Sequence, residues 1–132
     1  MWFMKQYSVD TNLHLKIFWD SICDGDEEFS LVLFHQFRSY RIEQMTLLNE
    51  ILSDSASSSH AKSQQAQRII HQLAGSCNLL GFFDAGQVLQ ALELTIEERK
   101  VEVDTPLLYV VKDTIDSVHS TLCDFLRGKG LI

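Results

Sequence analysis

The 132-residue chain holds one proline and six glycines, four of them after position 80. Long stretches are therefore free of helix breakers, which favours helices over sheets. Its three cysteines, Cys23, Cys77 and Cys123, are odd in number and form no C-x-x-C pair. They read as reduced thiols of a cytoplasmic protein, each a small apolar core residue. No run approaches the roughly 20 apolar residues that span a bilayer. The apolar start Met1-Trp2-Phe3-Met4 lacks the basic flank and cleavage site of a signal peptide. No basic stripe is present, and 18 acidic against 11 basic residues give a net charge of −7. That balance argues against a nucleic-acid partner and mainly favours solubility. No H-x-x-x-H or H-E-x-x-H spacing suggests zinc, and no glycine-rich phosphate loop or serine elbow occurs.

What is present is a core-forming composition, 45% hydrophobic with 22% charged, in a length typical of one domain. The whole chain reads as one stand-alone domain with a short tail over residues 1–10. Apolar spacing predicts helices over about 11–23, 26–53, 59–80, 84–100 and 105–127. The breaks are Ser53–Ser59 and Val101–Pro106. Leu13, Ile17, Phe18 and Ile22 form the inward set of the first helix. In the second, Phe29, Leu33, Phe37, Tyr40, Gln44, Leu47, Leu48 and Ile51 face inward and His35 lies near that stripe. Asp84 is expected as the N-cap of the fourth helix and Gly81 as the stop of the third. The stripe of the last helix is Leu108, Val111, Ile115, Val118, Leu122 and Phe125. The expected fold is all-α: an antiparallel up-down four-helix bundle with an additional short N-terminal capping helix.

The third helix carries the functional signal. At about 100° per residue, Ala66, Ile69, Ile70, Leu73, Cys77 and Leu80 fall on one side. Gln64, Gln67, Arg68, His71, Gly75 and Asn78 fall on the other. His71 sits mid-stripe in the exposed face, with Gly75 one turn on. A helical glycine costs roughly 1 kcal/mol relative to alanine. Bare backbone beside an exposed imidazole leaves a path for another protein's reactive group. Either residue alone is ordinary surface; together they suggest a site.

The segment His71-Gln72-Leu73-Ala74-Gly75-Ser76-Cys77-Asn78-Leu79-Leu80-Gly81 resembles the signature of histidine-containing phosphotransfer (HPt) domains. That pattern is His, any residue, Leu, Lys, Gly, two small residues, then a second Gly after a short apolar stretch. Leu92-Glu93 matches the Leu-Glu that closes the family's next helix. The helix order resembles the family's bundle as well. One position departs: the family's lysine is Ala74 here, and Arg68 is either a partial substitute or a solvated surface charge.

The resemblance implies a phosphorelay carrier and not an enzyme. The outward nitrogen of His71 would accept a phosphoryl group from a receiver-domain aspartate or a hybrid sensor histidine kinase. Imidazole suits this, being largely neutral at cellular pH with one free lone pair. Glu93, on the neighbouring helix, would either orient the ring, directly or through water, or be an exposed helix charge. The chain itself needs no cofactor or metal; Mg²⁺ and the aspartate would come with the receiver. Gln64, Gln67 and Asn78 would form part of the docking surface, with Leu79 or Phe82 as its apolar member unless they belong to the core. The protein would act as a monomer, away from membranes and nucleic acid. A phosphate-free adaptor that binds receivers and a plain structural bundle are the rival readings.

Overall fold

The computed structural model describes residues 11–99 and 104–132. The expected tail over 1–10, the end of the fourth helix at Lys100 and residues 101–103 of the second break lie outside them. No strand occurs among the described residues. The chain forms α1 (Thr11–Lys16), a π-helical continuation (Ile17–Ile22), α2 (Glu27–Ser53), α3 (Ser59–Leu79), α4 (Phe83–Arg99) and α5 (Thr105–Gly128).

Side-chain caps start three of these helices. Asp26 accepts from Phe29 N at 3.0 Å, Ser58 from Ala61 N at 3.2 Å and Asp104 from Leu107 N at 3.1 Å. Pro106 occupies the first turn of α5, where its missing N–H costs nothing. Gly81 ends α3 with φ +88°, its N–H bonding Asn78 O at 3.0 Å while Phe82 N bonds Cys77 O at 2.9 Å. This pair of bonds is the Schellman closure, and Gly81 admits it without strain. Ile17 crowds the same glycine: a Cβ there would lie 2.7 Å from Ile17 Cγ2.

The helices pack around one cluster that includes Phe18, Phe34, Phe37, Leu48, Ile70, Leu73, Phe82, Leu89, Ile115 and Leu122. α3 packs on α2, α4 and α5, and α5 closes against α2 and α4. The first helix lies over one end. Trp19 and Phe18 meet Phe125 edge-on at 5.6 and 6.5 Å, and Lys129 sits 4.2 Å over the Trp19 ring. No helix among the described residues is long and apolar enough to cross a membrane.

Several expectations are corrected. α1 does not stay α-helical to Cys23; Cys23 N bonds Phe18 O at 2.9 Å, a π-type step that widens the turn. Leu13 is 53% exposed, while His14 is buried in its place. On α2 the buried stripe is Ser30, Phe34, Phe37, Gln44 and Leu48. Phe29 and Leu47 are exposed, as is His35, whose ring meets Phe34 edge-on at 5.3 Å. The stripe hides because two of its members are polar; Ser30 Oγ is satisfied by Glu27 O at 2.7 Å. Asp84 is not a cap. α4 starts one residue earlier, and Asp84 lies in its first turn, 3.5 Å from His14 Nε2. The thiols are free, and burial pushes Cys23 up to about 11 and Cys77 to about 12. Cys123 is only half-buried, 3.8 Å from the His119 ring nitrogens.

His119 gives the fold a pH dependence. It stacks on Phe34 at 5.4 Å, and burial, then the charges of Arg41 and Arg38, hold its pKa below 6.5, with Asp116 opposing. The unfolded chain then binds more protons than the native one in the window just below 6.5, so stability rises with pH there. Urea midpoints should fall between about pH 7.5 and pH 5.5, and His119→Gln should shrink that fall. An undiminished fall in the variant would assign it to other groups.

Candidate functional site

α3 and α4 build the site. α3 buries Ala66, Ile69, Ile70, Leu73, Ala74 and Cys77, so this stripe fixes which way the opposite face points. His71 lies on that opposite face, with 71% of its side chain exposed. From α4, whose Leu89 and Leu92 are buried, Glu93 reaches back. His71 Nδ1 lies 3.0 Å from Glu93 Oε1 and 3.1 Å from Oε2, and the Glu93 side chain is only 21% exposed.

A carboxylate only accepts, so Nδ1 carries the hydrogen and donates it. The neutral ring then holds its lone pair on Nε2, which makes no hydrogen bond among the described residues. The arrangement leaves one nitrogen tethered to Glu93 and the other with a lone pair that no described residue occupies, on a side chain that is 71% exposed.

Gln64, Gln67 and Arg68 line an open cleft together with His71 and Glu93. Arg68 is the cation that lines it. Ala74 is 1% exposed, so its methyl faces the core. A Cβ built on Gly75 meets nothing within 4 Å. No contact among the described residues requires that glycine, in contrast to Gly81. On the flank toward α2, Tyr40 Oη donates to Gln72 Oε1 at 3.2 Å.

The remaining sequence candidates divide. Leu79, 77% exposed, stands two turns beyond His71 on the same face and supplies exposed apolar surface. Phe82 does not: it is 1% exposed and packs 5.6 Å from the His14 ring. The Schellman turn at Gly81 points it inward, and the next residue, Phe83, is the one left 44% exposed. Asn78 is half-buried and its amide lies against Gly86 of α4. Phe83 and Gly86 were missed. For two adjacent phenylalanines only the exact helix start says which turns in. Gly86 lay inside a helical pattern with no partner in sequence to explain it.

Among the described residues no three His, Cys, Asp or Glu side chains are grouped to hold a metal. The chemistry on offer is that of one exposed, tautomer-fixed imidazole. The model of the Hpt domain family matches residues 33–121, a span that holds both His71 and Glu93. The chain belongs to the Hpt domain family. Searches among curated proteins and solved structures gave no match. Hpt domains carry phosphoryl groups on histidine in two-component phosphorelays, exchanging them with receiver domains and kinases, and they act as carriers more than as catalysts.

The empty space at Gly75 sets a stability test. Gly75→Ala should raise stability by roughly 0.5–1 kcal/mol, read as a higher urea midpoint, because alanine favours helix and meets no neighbour. A lower midpoint would reveal an internal need for the glycine.

Proposed function

We propose that this Hpt domain carries its phosphoryl group on Nε2 of His71, taking it from, or giving it to, the aspartate of a receiver domain. The observation that supports this most is the split environment of the ring: Nδ1 held by Glu93 at 3.0 Å, the side chain 71% exposed. The Nε2 lone pair attacks phosphorus in line with the leaving aspartyl oxygen. A P–N bond forms, the P–O bond of the acyl phosphate breaks, and the aspartate leaves as a carboxylate. The ring becomes a phosphorylated imidazolium whose Nδ1–H stays bonded to Glu93. Transfer onward reverses these steps.

The rest of the machinery comes with the partner. Phosphoryl transfer depends mainly on positioning and charge neutralisation. A receiver would bring the metal ion and the aspartate, docking over Gln64, Gln67, Arg68 and Gly75 with Leu79 as apolar anchor. The four long helices would run up and down in the antiparallel arrangement that leaves the α3–α4 face free.

The adaptor reading keeps one point in its favour: Ala74 stands where the family's lysine is expected, so the ring has less cationic support. One assay separates the two. The protein is incubated with a receiver domain phosphorylated beforehand by acetyl phosphate, and acid-labile, base-stable label is measured. A carrier gains the label and an adaptor does not.

His71→Gln should abolish labelling while the melting curve stays close to wild type, since a single water-exposed hydrogen bond contributes only about 0.5–1.5 kcal/mol. Retained label would move the acceptor to another histidine. Gly75→Leu should keep the helix and block transfer from the receiver; undiminished transfer would remove Gly75 from the docking surface.

A further inference from the structure

α3 and α4 face each other in an antiparallel register read from two contacts. His71 pairs with Glu93, and Asn78 lies against Gly86. Seven residues separate Asn78 from His71 on α3, and seven separate Gly86 from Glu93 on α4. Seven residues are about two turns, or roughly 10 Å, and return to nearly the same helical face. The two contacts are therefore successive rungs of one ladder. Gln67 and Glu97, four residues further on each helix, line the next pocket along it together.

The Asn78–Gly86 rung is the tight one. Gly86 is buried, and a Cβ on it would lie 2.6 Å from Asn78 Cγ and 2.9 Å from Nδ2. Its φ is not positive, so no backbone conformation demands glycine here. Space alone does: the Asn78 amide occupies the volume that a side chain at 86 would fill. The glycines of α3 and α4 thus have opposite reasons. Gly75 faces open solvent, and Gly86 brings two helices together.

We propose that Gly86 and Asn78 form a positioning pair that sets the α3–α4 spacing and so holds the Glu93 carboxylate on His71 Nδ1. Neither residue touches the transferred group. A side chain at 86 either displaces the amide or pushes the helices apart. In the second case Glu93, two turns along, retreats from the ring. A released imidazole reverts to its intrinsic preference for hydrogen on Nε2, which removes the lone pair from the solvent-facing nitrogen. The inference deepens the reading of His71 as acceptor and rests on it for its functional meaning.

The test reads the ring itself, by ¹⁵N chemical shifts of the His71 imidazole across a pH titration. Wild type should show the Nδ1–H tautomer, and Glu93→Gln marks the shifts expected when the carboxylate is gone. Gly86→Val should move His71 toward those shifts and slow phosphorylation by the receiver on the order of 10-fold. Gly86→Ala should give a smaller displacement, and adding Asn78→Ala to it should restore the wild-type tautomer by emptying the crowded volume. Wild-type tautomer and titration in both Gly86 variants would overturn the proposal. If Gly86→Val does not fold, the decision falls to Gly86→Ala with and without Asn78→Ala: rescue supports it, and no difference overturns it. The ring shifts need no phosphate. A protein with the expected tautomers that never takes label would count against the acceptor reading and leave the positioning pair standing.

Discussion

One hydrogen bond between two helices depends on the rest of this fold being in place: the imidazole of His71 on α3 held at 3.0 Å by the carboxylate of Glu93 on α4. It joins side chains that are 22 residues apart in sequence. It therefore exists only if the α3–α4 turn, the helix spacing and the register are all correct. The Schellman closure at Gly81 sets the turn, and the buried faces of both helices set their rotation. The core is in this sense a mount for one ring.

The energetics of the mount and of the site differ in kind. Burying a leucine or phenylalanine stabilises the fold by roughly 1.5–3 kcal/mol, and the core cluster contains many such residues. The His71–Glu93 pair, mostly open to water on the histidine side, adds little by comparison. Its consequence is chemical: it decides which nitrogen carries the hydrogen. The buried stripe and the proposed site thus lie on opposite faces of the same helix, so changes around His71 would alter its chemistry without unfolding the protein.

How much of this was legible in sequence follows from what periodicity encodes. α3 separates apolar from polar residues cleanly, and the inward set Ala66, Ile69, Ile70, Leu73 and Cys77 is buried as expected. α5, with a strong apolar stripe, buries Val111, Ile115, Val118 and Leu122. α2 was misread because its buried line includes Ser30 and Gln44 while Phe29 and Leu47 remain outside. Periodicity ranks residues by apolarity and has no means of finding a satisfied polar residue in a core. The site shows the same division. His71 and Gly75 could be placed on a face from one helix alone. Phe82 and Phe83 could not be distinguished without the turn geometry, and Gly86 has no explanation until the opposing helix supplies Asn78.

The charge distribution says what the chain leaves to others. The protein carries a net charge of −7, yet the 21 residues of α3 contain Lys62 and Arg68 and no acid. The acidic groups lie elsewhere, and the carboxylate closest to the ring is occupied by Nδ1. A phosphoryl group on Nε2, as proposed, would therefore meet no free anion on α3, and also little positive charge. Arg68 lines the cleft, Lys62 is nine residues away along the helix, or roughly 13 Å, and position 74 is a buried methyl. Phosphoryl transfer needs its charge neutralised during the step. If His71 is the acceptor, as proposed, a surface with so few cations would leave that neutralisation to a partner that brings the missing charge.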